Sequence, residues 1–231
     1  MTQEMELSLQ FEGTISIDTG CDSIQPSGRT MSSTIGVLAL QGGVIEHQRA
    51  LEACGVDAPL VRRASHLAGL DGLVMPGGES TTMSRLLRIG DLYEPLRDML
   101  HAGLPVFGTC AGMILLAKTV ENTRDDAVNF AVIDIDVRRN AFGRQVDSFE
   151  AELPVTGIDT PLHTVFIRAP QVTRVGEQVT VLATVTAEDG TERVVAVREG
   201  NAMAAAFHPE LTADIRMHEL FLSHCVHNSA G

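Results

Sequence analysis

The chain has 231 residues, 44% hydrophobic and 20% charged, which fits one globular α/β domain and excludes a fibrous or wholly disordered protein. A formal net charge of -13 argues against a nucleic-acid binder, because neutralising phosphates takes clustered Lys and Arg that this chain does not supply. Cys21, Cys54, Cys110 and Cys225 stand far apart with no C-x-x-C pair, so neither a zinc site nor a disulfide framework is indicated, and a reducing cytoplasm is the expected home.

Residues 1 to 33 are acidic and rich in Ser, Thr and Gly, and they read as a disordered N-terminal extension ahead of one domain over residues 34 to 231. Their first basic residue, Arg29, comes too late for the charged start of a signal peptide. Further on, no apolar run approaches the ~18 residues needed to cross a bilayer.

From Thr34 the pattern is strand, turn, helix, repeated. IGVLAL (35 to 40) is a continuous apolar run of the kind buried on both faces of a sheet. After Gln41-Gly42-Gly43, VIEHQRALEAC (44 to 54) follows at helical spacing with Gly55 placed to end it. DAPLVR and DGLVMP read as the second and third strands, the latter running into Gly77-Gly78 and a helix that opens at Glu79, Ser80 and Thr81. PVFGTC (105 to 110) is a fourth strand, and AGMILLAKTV continues from it as a helix.

Alternation of this kind predicts a mostly parallel sheet covered on both sides, with ligands at the carboxyl ends of its strands. Between about Ala131 and Phe207 the stretches AVIDIDVRR, FEAEL, TVFIRAP, VTVLATV, ERVVAVRE and AMAAAF are strand-like, and they are expected to extend the sheet and add antiparallel strands. ADIRMHELFLSHCVHN (213 to 228) reads as a closing amphipathic helix with Ile215, Leu220 and Phe221 inward.

Three motifs carry chemistry. Gly108-Thr109-Cys110-Ala111-Gly112 joins a buried strand to a helix, the G-x-nucleophile-x-G arrangement in which a sharp turn lifts the nucleophile above the sheet. The helix start sets free N–H groups and the positive dipole end beside the sulfur, which favours a thiolate. A lone cysteine reads first as a small buried hydrophobe at a tight turn, and it is the surrounding pentapeptide at a strand end that favours the nucleophile.

Phe207-His208-Pro209-Glu210 follows the strand-like AMAAAF, and extended residues two apart point the same way, so Glu210 can orient the His208 imidazole as a triad requires. Its plain alternative is a surface turn with an incidental contact. Pro76-Gly77-Gly78-Glu79-Ser80-Thr81 lies at another strand end, where two glycines let a backbone N–H turn inward, and Gly78 with Ala111 then suits an oxyanion hole. The competing reading there is a Gly-Gly turn ahead of a helix capped by Ser80 or Thr81.

Together these motifs resemble the class I, triad-type glutamine amidotransferases. Within them the stretches IGVLALQG, LVMPGGESTTM, FGTCAGMILLAK, RRNAFGRQVDSFE, VFIRAP and AFHPELT are most similar to the glutaminase subunits of pyridoxal 5'-phosphate synthases. The likeness runs in order through residues 34 to 231, with PGGES and RNAFGRQVDSFE its discriminating parts.

The resemblance implies a flavodoxin-like α/β fold, Cys110, His208 and Glu210 as the triad, and glutamine held by Gly78, Glu79, Ser80, Arg139, Ile167 and Arg168. A buried arginine suits the substrate α-carboxylate, and Glu79 is placed to meet its α-ammonium, whereas structural ion pairs are the alternative for both arginines. It further implies no metal or organic cofactor, a (β/α)8-barrel synthase subunit that receives the ammonia, and weak activity until that partner binds.

Lys118, the only lysine, falls in the predicted elbow helix, so imine chemistry on sugar phosphates has to belong to the partner. Two departures from the family pattern stand out: the loop Gly42-Gly43-Val44-Ile45-Glu46-His47, where an acidic or small residue followed by a basic one is usual, and the variable stretch 121 to 129. The rival readings are a glutaminase serving another pathway, a cysteine hydrolase on a related fold, and a non-catalytic regulatory protein, which intact Cys110, His208 and Glu210 speak against.

Overall fold

The computed structural model describes residues 33–124, 126–139, 148–187 and 189–226. The extension expected over residues 1 to 33 therefore lies, but for Ser33, outside the described residues. The chain enters through β1 (Ile35–Leu38), buried at every position, and turns into α1 (Val44–Ala53), after which Gly55 takes the left-handed φ of 82° that its place at the helix end calls for. The six-residue DAPLVR shrinks to a two-residue β2 (Leu60–Val61) plus one bridge, Thr34 to Asp57, since it is an edge strand pairing with β1 alone. β3 (Gly72–Met75) is again wholly buried.

α2 (Ser80–Ile89) is capped by Glu79, whose carboxylate accepts from the Thr81 and Thr82 N–H groups. A helix the sequence reading passes over, α3 (Tyr93–His101), carries Pro95 in its first turn, where a missing N–H breaks no internal bond. β4 (Val106–Thr109) leads to α4, which is shorter than expected: it stops at Ala111–Leu116, and the AKTV that reads as its continuation is β5 (Ala117–Glu121). The N–H groups of Phe130 and Val132 take the carbonyls of Leu115 and Leu116, ending the helix, and the β-branched Thr119 and Val120 then pair with the next strand. Lys118 thus stands on β5, ion-paired at 2.9 Å to Asp134, and not on the elbow helix.

The remaining strands are β6 (Ile133–Arg138), β7 (Ser148–Leu153), β8 (Leu162–Ile167), β9 (Gln171–Val175), β10 (Thr180–Thr186), β11 (Glu192–Glu199) and β12 (Ala202–Ala205). The closing helix divides into α5 (Arg216–Phe221) and one wider π-helical turn, Leu222–Val226. Leu220 and Phe221 are buried as expected, while Ile215 is only partly covered at the helix start.

The large sheet runs β10-β11-β12-β4-β3-β1-β2. Its five strands from β12 to β2 are parallel, and β11 and β10 extend it antiparallel. β5-β6-β9 and the hairpin β7-β8 form two smaller sheets, so only part of the strand-rich second half extends the central one. This is the flavodoxin-like α/β arrangement. Its core joins Phe107, stacked on Phe221 at 5.8 Å, to the buried runs of all the central strands. Among the described residues no helix is long and apolar enough to cross a membrane.

Candidate active site

β4 and β12 are neighbours, with Thr109 opposite Ala205, and the Cys110 N–H donates to the Ala205 carbonyl at 2.8 Å. Two chain segments therefore leave the sheet side by side at its carboxyl edge: one turns into Cys110 and α4, the other continues through Ala206 and Phe207 to His208. The second is tied down where the His208 N–H donates to Val165 of β8 at 2.8 Å.

The turn at Cys110 is strained, with φ 48° and ψ -103°, a conformation L residues seldom adopt and one held here by the surrounding sheet and helix. Gly112 shows why the flanking residues are small: a Cβ there would sit 2.2 Å from the Met75 carbonyl oxygen, so strand and helix could not approach. Gly112→Ala is accordingly expected to destabilise the fold by roughly 3 kcal/mol, read as a lowered denaturation midpoint. An unchanged midpoint would mean that the elbow is looser than this contact requires.

His208 Nδ1 lies 2.8 Å from Glu210 Oε1, and the imidazole faces the Cys110 side chain closely enough for the two to interact. Both His208 and Cys110 crowd Gly77, where a Cβ would come 2.5 Å from His208 Cε1 and 3.3 Å from Cys110 Cβ. The Glu210 side chain is 1% exposed and that of His208 12%. Burial by itself would lower the imidazole pKa, but the bonds to Cys110 and Glu210, with their charges, outweigh it and push His208 up to about 10. Burial likewise opposes ionisation of Glu210, yet its hydrogen bonds to His208 and His47 hold the carboxyl well below the usual carboxylate range. An acid–base pair is thus built beside a thiol, which is what nucleophilic attack on an amide demands.

The residues that the sequence assigns to substrate gather at the same edge. Gly78 has φ 150°, a region glycine enters freely, and Glu79 follows it with its N–H donated to Gln41 Oε1 at 2.8 Å. Ser80 is buried as the first residue of α2, and Ala111 opens α4 directly after the cysteine.

Arg139, just past β6, reaches Glu79 at 3.0 Å, so two of the assigned residues already meet as an ion pair. The cap on α2 is neither Ser80 nor Thr81 but Glu79; burial pushes its carboxyl up, and bonds from Thr82 and Thr81 bring it down to about 2. The Ile167 carbonyl lies 3.8 Å from Cys110 Sγ, and Arg168 beside it takes a positive φ of 46°. Of the stretch RNAFGRQVDSFE, residues 140–147 lie outside the described residues.

Sequence reasoning misses His47. Its Nε2 is 3.2 Å from Glu210 Oε2, and no local pattern in α1 announces a partner so far along the chain.

Residues 37–227 match the SNO glutamine amidotransferase family. The chain is 60% identical over 188 residues to the pyridoxal 5'-phosphate synthase subunit PdxT of Corynebacterium jeikeium (strain K411), covering 81% of this chain and 94% of that one. It is 56% identical over 199 residues to the protein of the same name from Nocardia farcinica (strain IFM 10152), covering 86% and 88%. A solved structure described as a glutamine amidotransferase superposes with a TM-score of 0.76 at 46% identity, over 83% of this chain and 98% of that one.

Proposed function

Because the chain belongs to the SNO glutamine amidotransferase family, we propose that it is the glutaminase subunit of a pyridoxal 5'-phosphate synthase, a carboxamide hydrolase working in the cytoplasm beside a (β/α)8-barrel synthase subunit. The observation that carries the chemistry is the pairing of β4 with β12, which sets the Cys110 thiol against a His208 already held by Glu210.

In this reading the Cys110 thiol passes its proton to His208, the sulfur attacks the side-chain amide carbon of glutamine, and the Gly78 and Ala111 N–H groups receive the oxyanion. Glu79, Ser80, Arg139, Ile167 and Arg168 hold the amino-acid end. The imidazolium of His208 gives its proton to the departing nitrogen as the C–N bond breaks, leaving a thioester and ammonia. His208 then takes a proton from water, whose oxygen attacks the thioester and releases glutamate and the Cys110 thiolate, restoring the thiolate beside the imidazolium. Glu210 keeps the imidazole in register and balances its charge throughout. A non-catalytic role would give no reason to bury a carboxylate against this histidine.

The test is to supply the synthase subunit with either glutamine or an ammonium salt. Adding the chain is expected to enable pyridoxal phosphate formation from glutamine and to be dispensable with ammonium. A synthase that gains nothing from the chain in glutamine would overturn the assignment.

The pH dependence has a definite sign. His208 has its pKa raised, so the proton it must donate, and the stability the pair contributes, are present at low and neutral pH and lost as pH rises through about 10. The alkaline limb of kcat/KM for glutamate release is therefore expected near that value, and a limb at the ordinary imidazole position of about 6.5 would contradict the geometry.

A further inference from the structure

Behind Glu210 the site continues into the core through two histidines that the mechanism above leaves unused. His47 on α1 and His218 on α5 are both fully buried, and His47 Nδ1 meets His218 Nε2 at 2.8 Å. The other nitrogen of His47 faces Thr109 Oγ1 at 3.1 Å and Glu210 Oε2 at 3.2 Å, so one imidazole touches both the residue before the nucleophile and the carboxylate that holds the base. Among the described residues neither Glu210 Oε2 nor His218 Nδ1 has an aligned hydrogen-bond partner, so the 3.2 Å approach of His47 Nε2 is the polar contact that Oε2 has.

These contacts settle the direction of the chain of bonds. Burial lowers the His218 pKa to about 3, so His218 is neutral and has a single N–H. On Nδ1 that proton would be a buried donor without an acceptor; on Nε2 it is donated to His47 Nδ1. His47 then accepts at Nδ1 and presents its own N–H from Nε2 to Thr109 and Glu210. Glu210 is thereby held at both oxygens, Oε1 by His208 and Oε2 by His47. The start of α1 closes the third side, for a Cβ on Gly43 would lie 2.8 Å from Glu210 Cγ.

We propose that His47 is a positioning residue of the glutaminase site, holding Glu210 and through it His208 in line with Cys110, and that His218 fixes the tautomer in which His47 donates. The proposal rests on the glutaminase reading. A side chain held this way acts on the rate of the chemical step and leaves substrate binding alone, because it touches no substrate atom.

The test uses the full chain with its synthase subunit and measures kcat and KM for glutamate release in the parent, His47→Gln and His47→Asn. The Gln amide nitrogen reaches the height of Nε2, whereas that of Asn reaches only Nδ1. His47→Asn is expected to lower kcat by roughly ten- to a hundredfold with KM within about twofold, and His47→Gln to recover most of the loss. Equal rates in the two variants, or a loss that follows their thermal midpoints, would reduce His47 to a packing residue and overturn the proposal.

Should His47→Asn not fold, His218→Phe serves in its place. It leaves His47 and Glu210 in position and is expected to show a several-fold loss confined to kcat, while an unchanged kcat overturns the proposal. Cys110→Ala run alongside separates the two readings: a parent no faster than Cys110→Ala removes the glutaminase assignment itself, and this one with it.

Discussion

Cys110→Ala is expected to lower glutamate release in the synthase complex by at least roughly a thousandfold, while the thermal midpoint barely moves. The chemical loss is nearly complete because, among the described residues, no other thiol stands at the site to form the covalent intermediate. The Cys225 thiol is buried in the turn Leu222–Val226, where burial raises its pKa to about 11. The structural loss is small because the positive φ at position 110 strains alanine no more than cysteine, and the bond from the Cys110 N–H to Ala205 belongs to the backbone. Residues acting as one unit are non-additive, so His208→Ala should lose almost as much and the double variant little more. A Cys110→Ala protein that still released glutamate at the parent rate would remove the thioester from the mechanism.

Gly77→Ala is the second large effect, and it should strike activity without striking the fold. The added methyl would stand 2.5 Å from His208 Cε1 and 3.1 Å from Nδ1. What gives way is the imidazole, whose displacement breaks its alignment with both Cys110 and Glu210. A displacement on the order of 1 Å at a reacting group costs about a hundredfold in rate. The contrast with Gly112 is informative, since there the obstruction is backbone carbonyl and stability is lost first. Measuring kcat and denaturation midpoint for both variants checks the distinction. If Gly77→Ala kept the parent kcat, His208 would have room to spare, contrary to this packing.

How much of this was legible from residues alone follows from the range of the interactions. The elbow is a local object: a buried run, two small residues and a cysteine within five positions, each required by the same close approach of strand and helix. The pairing of His208 with Glu210 was readable because the two are close in sequence, although the segment is not extended as expected: Pro209–Leu211 form a short 3-10 turn that brings the carboxylate to the imidazole.

What joins the two arms is the pairing of β4 with β12, which separation along the chain conceals, and only the likeness to a known family made it an expectation. AKTV reads as helix in the sequence yet forms a strand, because a helix that ends by lending its carbonyls to Phe130 and Val132 leaves no signal in its own residues. The Glu79 cap escaped because Ser and Thr are the commoner caps and stand in the next positions. The meeting of His47 with His218 is invisible in the sequence because 171 positions separate them, and His47 stands out there only as the end of the departing stretch Gly42 to His47.

The rooting of both arms in adjacent central strands ties the chemistry to the most protected part of the molecule. The amide of Cys110 is locked to Ala205 in the middle of a seven-stranded sheet, so it has no route to solvent through fraying of an edge or a loop. Exchange of the Cys110 amide with solvent therefore waits for the central sheet to open, and its protection reports on the most cooperative part of the fold.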